Sequence, residues 1–221
     1  MDQFYVKQGE YGKGKAGDAL VLEAVKRYLA ANGKEARVSR EGPAAFCPDP
    51  AADPAAMEVV RPAEGKPALT IPGLFFSVSH SGDVWMCLFS DRECGLDFQV
   101  HDDRDTNAVA ARMFRAGELT YLSEADADRS GRFFDLWAMR EAYGKYTGRG
   151  MFGVPDLAPD GIPLETVRAD AEAADGNRAA LHFHRIDRDM IRERIPDISL
   201  TQRFSCFALT AYCEPPEIVA I

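Results

Sequence analysis

The chain has 221 residues, of which 46% are hydrophobic and 28% are charged. This length allows a sizeable core in one domain or two small ones, and the composition excludes a disordered, collagen-like or coiled-coil chain. The formal net charge of −9 argues against a nucleic-acid partner, because contacts with phosphates need a basic surface.

No apolar run approaches the roughly 20 residues that a membrane span requires. The first residues lack the apolar centre of a secretory signal. The five cysteines contain no C-x-x-C pair. We therefore expect reduced thiols instead of a disulfide framework or a zinc site, and a cytoplasmic protein with no membrane partner.

The predicted elements begin with a helix at residues 18–31, where apolar side chains recur at helical spacing. Asp18 is the predicted N-cap and Gly33 the predicted end. Residues 41–55 hold four prolines and predict an irregular connection. Short apolar runs then predict strands of one sheet, at residues 57–60, 74–78, 84–89 and 94–98.

The second half predicts two short helices and one long helix, at residues 107–114, 118–125 and 132–147. A late strand is predicted at residues 204–212, paired with residues 181–185. A helix followed by strands thus occurs in both halves. We therefore expect an α+β fold with one domain at residues 1–100 and another at residues 101–221.

An aspartate interrupts the apolar segment 95–98. Asp97 and Gln99 lie two residues apart on a predicted strand, so their side chains project to the same face. Burying an unpaired carboxylate there is costly. In one interpretation Asp97 caps a turn or faces water. In the other, the carboxylate and the amide oxygen help to bind a hard cation such as Mg²⁺.

The long predicted helix carries a charged pair on an apolar stripe. Glu141 and Lys145 are four residues apart and share one helical face, which continues one turn earlier through Trp137 and Phe133. An ordinary surface ion pair is one interpretation. The position of the pair on the stripe, beside a glycine-rich turn at residues 148–150, favours a ligand site.

Ser79, His80 and Ser81 end a predicted strand. The nucleophile elbow G-x-S-x-G is absent. A hydrolase that pairs Ser79 or Ser81 with His80 is disfavoured, because adjacent strand residues point to opposite faces. A structural hydrogen bond is the ordinary role for such a histidine. Alternatively, His80 belongs to a basic patch whose candidate members are Lys66, His80, Arg140, Lys145 and Arg149.

Four motifs occur in order between residues 65 and 151: GKP, FFSVSHS, GLDFQ and WAMREAYGKYTGRG. They resemble the motifs G-K-P, F-N-x-S-H-S, G-[IV]-D-[IV]-E and W-x-x-K-E-A-x-x-K-x-x-G-x-G of the surfactin-synthetase type of 4′-phosphopantetheinyl transferase. Each motif alone is weak, but the order and spacing of all four are specific.

The resemblance implies an enzyme that transfers the phosphopantetheine arm of coenzyme A to a serine of an apo acyl or peptidyl carrier protein. The products are the holo carrier and 3′,5′-ADP. The family's larger members imply a pseudo-dimer of two similar α/β subdomains in one chain, with the active site in the cleft between them. We expect a monomer.

The resemblance also implies roles for single residues. Asp97 and Glu141, with Gln99, would ligate Mg²⁺, and Glu141 would help to deprotonate the carrier serine. Lys145 would steady the pyrophosphate and assist departure of 3′,5′-ADP. Lys66, Ser79 and His80 would hold the phosphates of coenzyme A. Lys13 and Lys15 are candidates for the 3′-phosphate by position.

Three positions depart from the family pattern. Gln99 replaces an acidic residue, which predicts weaker Mg²⁺ affinity and not inactivity. Arg140 replaces a lysine, and Ser77 replaces an asparagine. The loss at Gln99 leaves open an alternative function, a coenzyme A or carrier-protein binding module with impaired catalysis. Retention of Asp97, Glu141 and Lys145 argues against that alternative.

The carrier cannot be chosen from the sequence: fatty-acid, polyketide and nonribosomal-peptide carriers all remain open. Carrier proteins are commonly acidic, so docking on a chain with a net charge of −9 requires a local basic or apolar surface.

Overall fold

The computed structural model describes residues 2–12, 14–32, 57–63, 65–124, 127–158, 168–172 and 178–221. Within these ranges the chain forms ten strands and five α-helices, arranged as two four-stranded sheets and one two-stranded sheet. The fold class is α+β, as the sequence predicts. The predicted connection at residues 41–55, together with Gly33 and Lys13, lies outside the described ranges.

The first sheet has the strand order β10-β1-β5-β4. Its strands are β1 (Gln3–Gln8), β4 (Phe75–Ser81), β5 (Val84–Ser90) and β10 (Glu217–Ala220). Strands β1 and β10 are parallel, and the other neighbours are antiparallel. Gly82 has a φ of +60°, which glycine adopts without strain and which closes the short turn between β4 and β5.

Strand β5 is buried on both faces, as its continuous apolar sequence VWMCLFS requires. Trp85 and Phe89 pack into a core with helix α1 (Asp18–Asn32). Met86 and Leu88 point the other way, into a core shared with the second sheet. The first sheet is therefore a middle layer, covered by α1 on one side and by the rest of the fold on the other.

The second sheet is antiparallel throughout and has the order β6-β9-β8-β7. Its strands are β6 (Gly95–Val100), β7 (Arg168–Glu172), β8 (Arg178–Arg185) and β9 (Phe204–Thr210). A long helix, α4 (Arg129–Thr147), packs across β6 and β9. Asp128 caps its first turn by accepting from the Gly131 N–H at 3.0 Å, and Gly148 ends it at a φ of +68°.

The smaller elements surround these layers. Helices α2 (Thr106–Met113) and α3 (Ala116–Ser123) pack on α4, and α5 (Arg188–Arg194) contacts β10. Strands β2 (Val59–Val60) and β3 (Ala68–Leu69) form the two-stranded sheet. None of the helices in the described ranges has both the length and the apolarity needed to cross a bilayer.

The two large sheets meet at a row of serine hydroxyls. The Ser77, Ser79 and Ser81 hydroxyls, on alternate residues of β4, accept hydrogen bonds from backbone N–H groups of β6 at 2.9, 3.0 and 3.1 Å. The three donors are Leu96, Phe98 and Val100. Hydrogen bonds to serine side chains thus join β4 to β6 in place of the backbone hydrogen bonds of a sheet. Ser77, which stands where the family pattern has asparagine, is one of the serines in this seam.

The structure corrects two predictions about strand partners. Residues 94–98 were expected to continue the first sheet, but β6 pairs with β9 in the second, and β2 pairs only with β3. The domain boundary near residue 100 stays a prediction, and each large sheet takes one strand from across it. Strand β6 precedes that residue but lies in the second sheet, while β10 near the other end of the chain pairs with β1.

The predicted helices correspond to α1 to α4, and the predicted late strand is β9, paired with β8 as expected. Strands β1 and β10 and helix α5 were not predicted. Of the five cysteines, Cys47 lies outside the described ranges, and the other four are free thiols. Cys87, Cys94 and Cys206 are buried, whereas Cys213 is exposed.

Candidate active site

Strand β6 and helix α4 approach each other closely at Gly95. A Cβ atom placed on Gly95 would lie 2.0 Å from the Ala142 carbonyl oxygen, so only glycine allows the observed separation. This contact places the last turns of α4 directly over the start of β6. The side chains that the two motifs contribute therefore meet.

Asp97 is the centre of the resulting polar cluster and is only 6% exposed. Its Oδ1 accepts from the Lys145 Nζ at 2.7 Å and from the Ser79 hydroxyl at 2.8 Å. The Lys145 Nζ also lies 3.2 Å from the Ser79 Oγ. A buried carboxylate requires such partners, because desolvation without them is costly. The three predicted residues are thus brought together.

Glu141 lies one turn before Lys145 and is half-buried. Burial raises the pKa of its carboxyl group, the negative charge of Asp97 raises it further, and the Lys145 ammonium opposes both effects. Lys145, on the next turn of the same helical face, contacts Asp97 directly, so Glu141 lies beside the same cluster. Among the described residues, none donates a hydrogen bond to Glu141 or forms an ion pair with it.

This arrangement fits a divalent cation. One carboxylate is already balanced by an ammonium, while the second is partly desolvated and has no described protein partner, so a bound cation would relieve its burial cost. No cluster of three or more His, Cys, Asp or Glu side chains suited to a metal occurs within the described ranges. Within the described ranges, Asp97 and Glu141 are the charged side chains that would hold it.

Gln99 is not part of the Asp97 cluster. Its side chain is half-buried, and its amide nitrogen donates to the Val100 carbonyl oxygen at 2.6 Å. This bond ties the amide to its own strand, and the amide oxygen is the atom left to act as a ligand. Its predicted role as a third metal ligand therefore stays a prediction.

A cavity of about 250 Å³ opens beside this cluster. Lys66, His80 and Lys145 all line it, so three predicted phosphate-binding cations reach one space. The Lys66 Nζ donates to the Glu93 carboxylate at 2.6 Å and to the Cys94 carbonyl at 3.0 Å. His80 is exposed, and the centroid of its ring lies 5.4 Å from the centroid of the Tyr11 ring.

The cavity is also lined by Gly14 and Gly17 of the 3-10 turn Gly14–Gly17. Lys15 belongs to this turn and is exposed, whereas Lys13 lies outside the described ranges. Arg61, which the sequence reading missed, also lines the cavity. Its guanidinium pairs with Asp18 and donates to the Gly14 carbonyl at 3.1 Å. Arg61 lies outside the four sequence motifs, and it approaches this turn only in the folded chain.

Arg140 does not belong to the basic patch, contrary to the prediction. It is 1% exposed, and its guanidinium donates to both carboxylate oxygens of Glu118 at 2.8 and 2.9 Å and to the Pro155 carbonyl at 3.3 Å. The ion pair between Arg140 on α4 and Glu118 on α3 thus holds the two helices together. Arg149 is exposed beyond the end of α4 and remains available to the patch.

The serines near His80 are engaged elsewhere. Ser79 is 4% exposed, donates to Asp97 and accepts from the Phe98 N–H, and Ser81 accepts from the Val100 N–H. Both hydroxyls are thus engaged in the seam between β4 and β6. The Ser79 hydroxyl contacts Asp97, whereas the resemblance implies that it binds a phosphate of coenzyme A.

Comparisons with known proteins identify a family whose match covers two of the four motifs, GLDFQ and WAMREAYGKYTGRG. Residues 93–204, about half of the chain, match the model of the 4′-phosphopantetheinyl transferase superfamily. The 4′-phosphopantetheinyl transferase psf-1 of Bacillus pumilus is 39% identical over 89 residues, which cover 39% of this chain and 38% of that protein. Sfp of Bacillus subtilis is 32% identical over 89 residues, 39% of each protein.

A third relative, the 4′-phosphopantetheinyl transferase AcpT of Salmonella typhi, is 37% identical over 98 residues, which cover 41% of this chain and 50% of AcpT. The similarity to these three relatives thus spans half or less of their lengths. The family match contains both Asp97 and Glu141, the carboxylates that the fold brings to one site. The chain belongs to the 4′-phosphopantetheinyl transferase superfamily.

Proposed function

We propose that the protein transfers 4′-phosphopantetheine from coenzyme A to a serine of an apo carrier protein, which yields the holo carrier and 3′,5′-ADP. The observation that carries this proposal is the meeting of Asp97, Glu141 and Lys145 beside a cavity lined by further cations. Phosphoryl transfer needs mainly positioning and charge neutralisation, so no nucleophilic side chain of the enzyme is required.

Coenzyme A would bind with its phosphates toward the cavity cations. Lys66 and His80 line the cavity, and Lys15 belongs to the turn whose Gly14 and Gly17 also line it. Lys145 would contact the pyrophosphate, because it is the cation next to both carboxylates. These positive charges would offset the repulsion that a polyanion meets on a chain with a net charge of −9.

Glu141 would act as the general base. Its side chain is half-buried beside Lys145, and no described residue donates a hydrogen bond to its carboxylate, so a carboxylate oxygen is left to accept a proton. As the serine oxygen bonds to the phosphorus of the pantetheine arm, Glu141 takes the serine proton directly or through one water. The bond from that phosphorus to the oxygen of the 3′,5′-ADP half breaks, and Lys145 stabilises the charge on the departing oxygen.

Mg²⁺, held by Asp97 and Glu141 with Gln99 as a further candidate, would supply charge neutralisation of the pyrophosphate. Ser79 would hold Asp97 in the orientation that serves both the cation and Lys145, since its hydroxyl is bonded to Asp97. This positioning role accompanies the phosphate contact that the resemblance implies for Ser79.

We also propose that the chain is built of two related halves with the active site between them. Support comes from the two four-stranded sheets, each covered by one long helix, and from the position of Asp97 on one edge of the seam between them. In this scheme residues 1–100 and 101–221 are the halves, with β6 and β10 exchanged between their sheets.

The test is a transfer assay with coenzyme A, Mg²⁺ and a panel of apo acyl and peptidyl carrier proteins, followed by mass spectrometry of the carriers. A carrier that gains the mass of one phosphopantetheine group is the expected result. The replacement of an acid by Gln99 favours one alternative, a binding module with impaired catalysis. Binding of coenzyme A without any mass gain across the panel would favour that alternative.

A further inference from the structure

Phe152 is the most exposed large hydrophobic residue of the described part of the chain, at 78% exposure. It follows α4 in a turn and belongs to none of the three apolar cores. Val60 and Leu119 are the other exposed large hydrophobic residues there, at 48% and 37%. A single exposed aromatic side chain on a surface is the kind of residue that anchors a protein partner.

The turn that carries Phe152 is fixed at both ends. Before it, the Gly150 N–H donates to the Gly144 carbonyl at 3.3 Å, and a Cβ placed on Gly144 would lie 3.2 Å from the Gly150 Cα. After it, Val154 is buried. Two residues of chain add at most about 7 Å, so Phe152 lies within about 12 Å of Gly144, the neighbour of Lys145.

Two arginines make the surroundings of Phe152 basic. Arg149 is exposed at the start of the turn, and Arg115 is exposed beside its end, where its Nε donates to the Val154 carbonyl at 3.3 Å. Neither arginine forms an ion pair with a described acidic residue. Because the chain as a whole carries a net charge of −9, this combination of a free aromatic ring and unpaired cations attracts an acidic surface.

We propose that Phe152, with Arg149 and Arg115, is the docking anchor for the apo carrier protein. This inference rests on the proposed transfer function and specifies its partner's binding surface. The occupant is a protein domain, because Phe152 projects from an exposed turn instead of lining the coenzyme A cavity. A domain of about 100 residues has a radius of gyration of about 13 Å, so one docked here is large enough to bring a serine to Glu141.

The experiment measures binding and transfer separately. Binding is measured by calorimetry with an acyl carrier protein and a peptidyl carrier domain whose acceptor serines are replaced by alanine. Transfer kinetics use the unaltered apo carriers. The variant is F152S, and V60S is the matched control, since it removes an exposed hydrophobic side chain elsewhere. R149E is compared with K26E, which makes the same charge change at an exposed position of α1.

We expect F152S to weaken carrier binding and raise the KM for the carrier by about tenfold, and R149E to weaken binding by about three- to tenfold at low salt. F152S should leave coenzyme A affinity and the melting temperature unchanged, R149E should leave the melting temperature unchanged, and V60S and K26E should match the wild type. Carrier binding within twofold of wild type in F152S overturns the inference, as does equal loss of carrier and coenzyme A binding.

The two proposals fail differently. A wild type that binds the alanine-substituted carriers through Phe152 but transfers nothing would remove the proposed function and keep the docking surface. A wild type that transfers phosphopantetheine while F152S does so with the same KM would keep the function and remove the docking surface. No binding of either carrier to the wild type also overturns the docking surface.

Discussion

The Lys145 ammonium lies 2.7 Å from the Asp97 carboxylate, and this contact joins the last turns of α4 to the middle of β6. Glu141, on the preceding turn, shares the site but has no described partner of its own. The difference separates the two carboxylates chemically. Asp97 is held in place by direct contacts, whereas Glu141 is half-buried without such a contact, which favours taking a proton or meeting a cation.

The first prediction concerns Glu141 as the base. E141Q should lower kcat by about 10²- to 10⁴-fold, because glutamine keeps the shape of the side chain but cannot accept the serine proton. Single-turnover transfer measures the effect, and circular dichroism checks the fold. E124Q, which changes an exposed glutamate after α3, should match the wild type. Near-normal turnover in E141Q would remove Glu141 from the mechanism.

The second prediction separates the two roles of the serine seam. S79A removes the acceptor for the Phe98 N–H and the donor to Asp97, whereas S81A removes only the acceptor for the Val100 N–H. Each loss should cost about 1–3 kcal/mol of unfolding free energy, measured by urea denaturation. Transfer by S79A should fall at least about tenfold further than by S81A, since one hydrogen bond to a charged group is worth about 1.5–3 kcal/mol. Equal transfer rates in the two variants would show that Ser79 does not position Asp97.

The third prediction concerns Gln99. Q99E should tighten Mg²⁺ binding by about three- to tenfold, because a third carboxylate adds charge to a site that now has two. The measurement is the Mg²⁺ concentration that gives half-maximal transfer, together with calorimetric Mg²⁺ binding. Q202E adds the same charge at an exposed position outside the cluster and serves as control. An unchanged Mg²⁺ dependence would place Gln99 away from the metal.

The fourth prediction tests the approach of β6 and α4. In G95A the new methyl group would meet the Ala142 carbonyl at 2.0 Å, and a backbone atom cannot move aside locally. The helix must shift, which should cost about 1–3 kcal/mol of unfolding free energy and reduce transfer by separating Lys145 from Asp97. Denaturation and transfer assays measure both effects. A variant with normal stability and rate would show that the close approach is not required.

The site could be predicted where the relevant pattern is local. The spacing of Glu141 and Lys145 on a helix, and the isolated charge of Asp97 on a strand, follow from periodicity. Burial of Arg140 could not be predicted, because its partner Glu118 lies 22 residues earlier on another helix. The sheet that each strand joins could not be predicted either, because periodicity identifies the faces of a strand but not its neighbouring strands.

The last prediction uses His101, outside the transfer site. Its Nε2 lies 2.9 Å from the Ser205 Oγ, which in turn donates to Asp135 at 2.6 Å, so Nε2 carries the proton. The Nδ1 atom is buried and has no described partner. Burial lowers the pKa of His101 to about 4, and the positive charge of Arg203 contributes in the same direction.

The lowered pKa of His101 makes the folded protein less stable as the pH falls. Between pH 4 and 6.5 the folded His101 stays neutral, while the unfolded chain, with a histidine pKa of about 6.5, takes up a proton. Stability is therefore lost as the pH falls through this range. H101Q should show a shallower fall in unfolding free energy between pH 7 and 5 than the wild type or H182Q, measured by urea denaturation. Parallel curves for all three proteins would mean that His101 takes up its proton as readily in the folded chain as in the unfolded one.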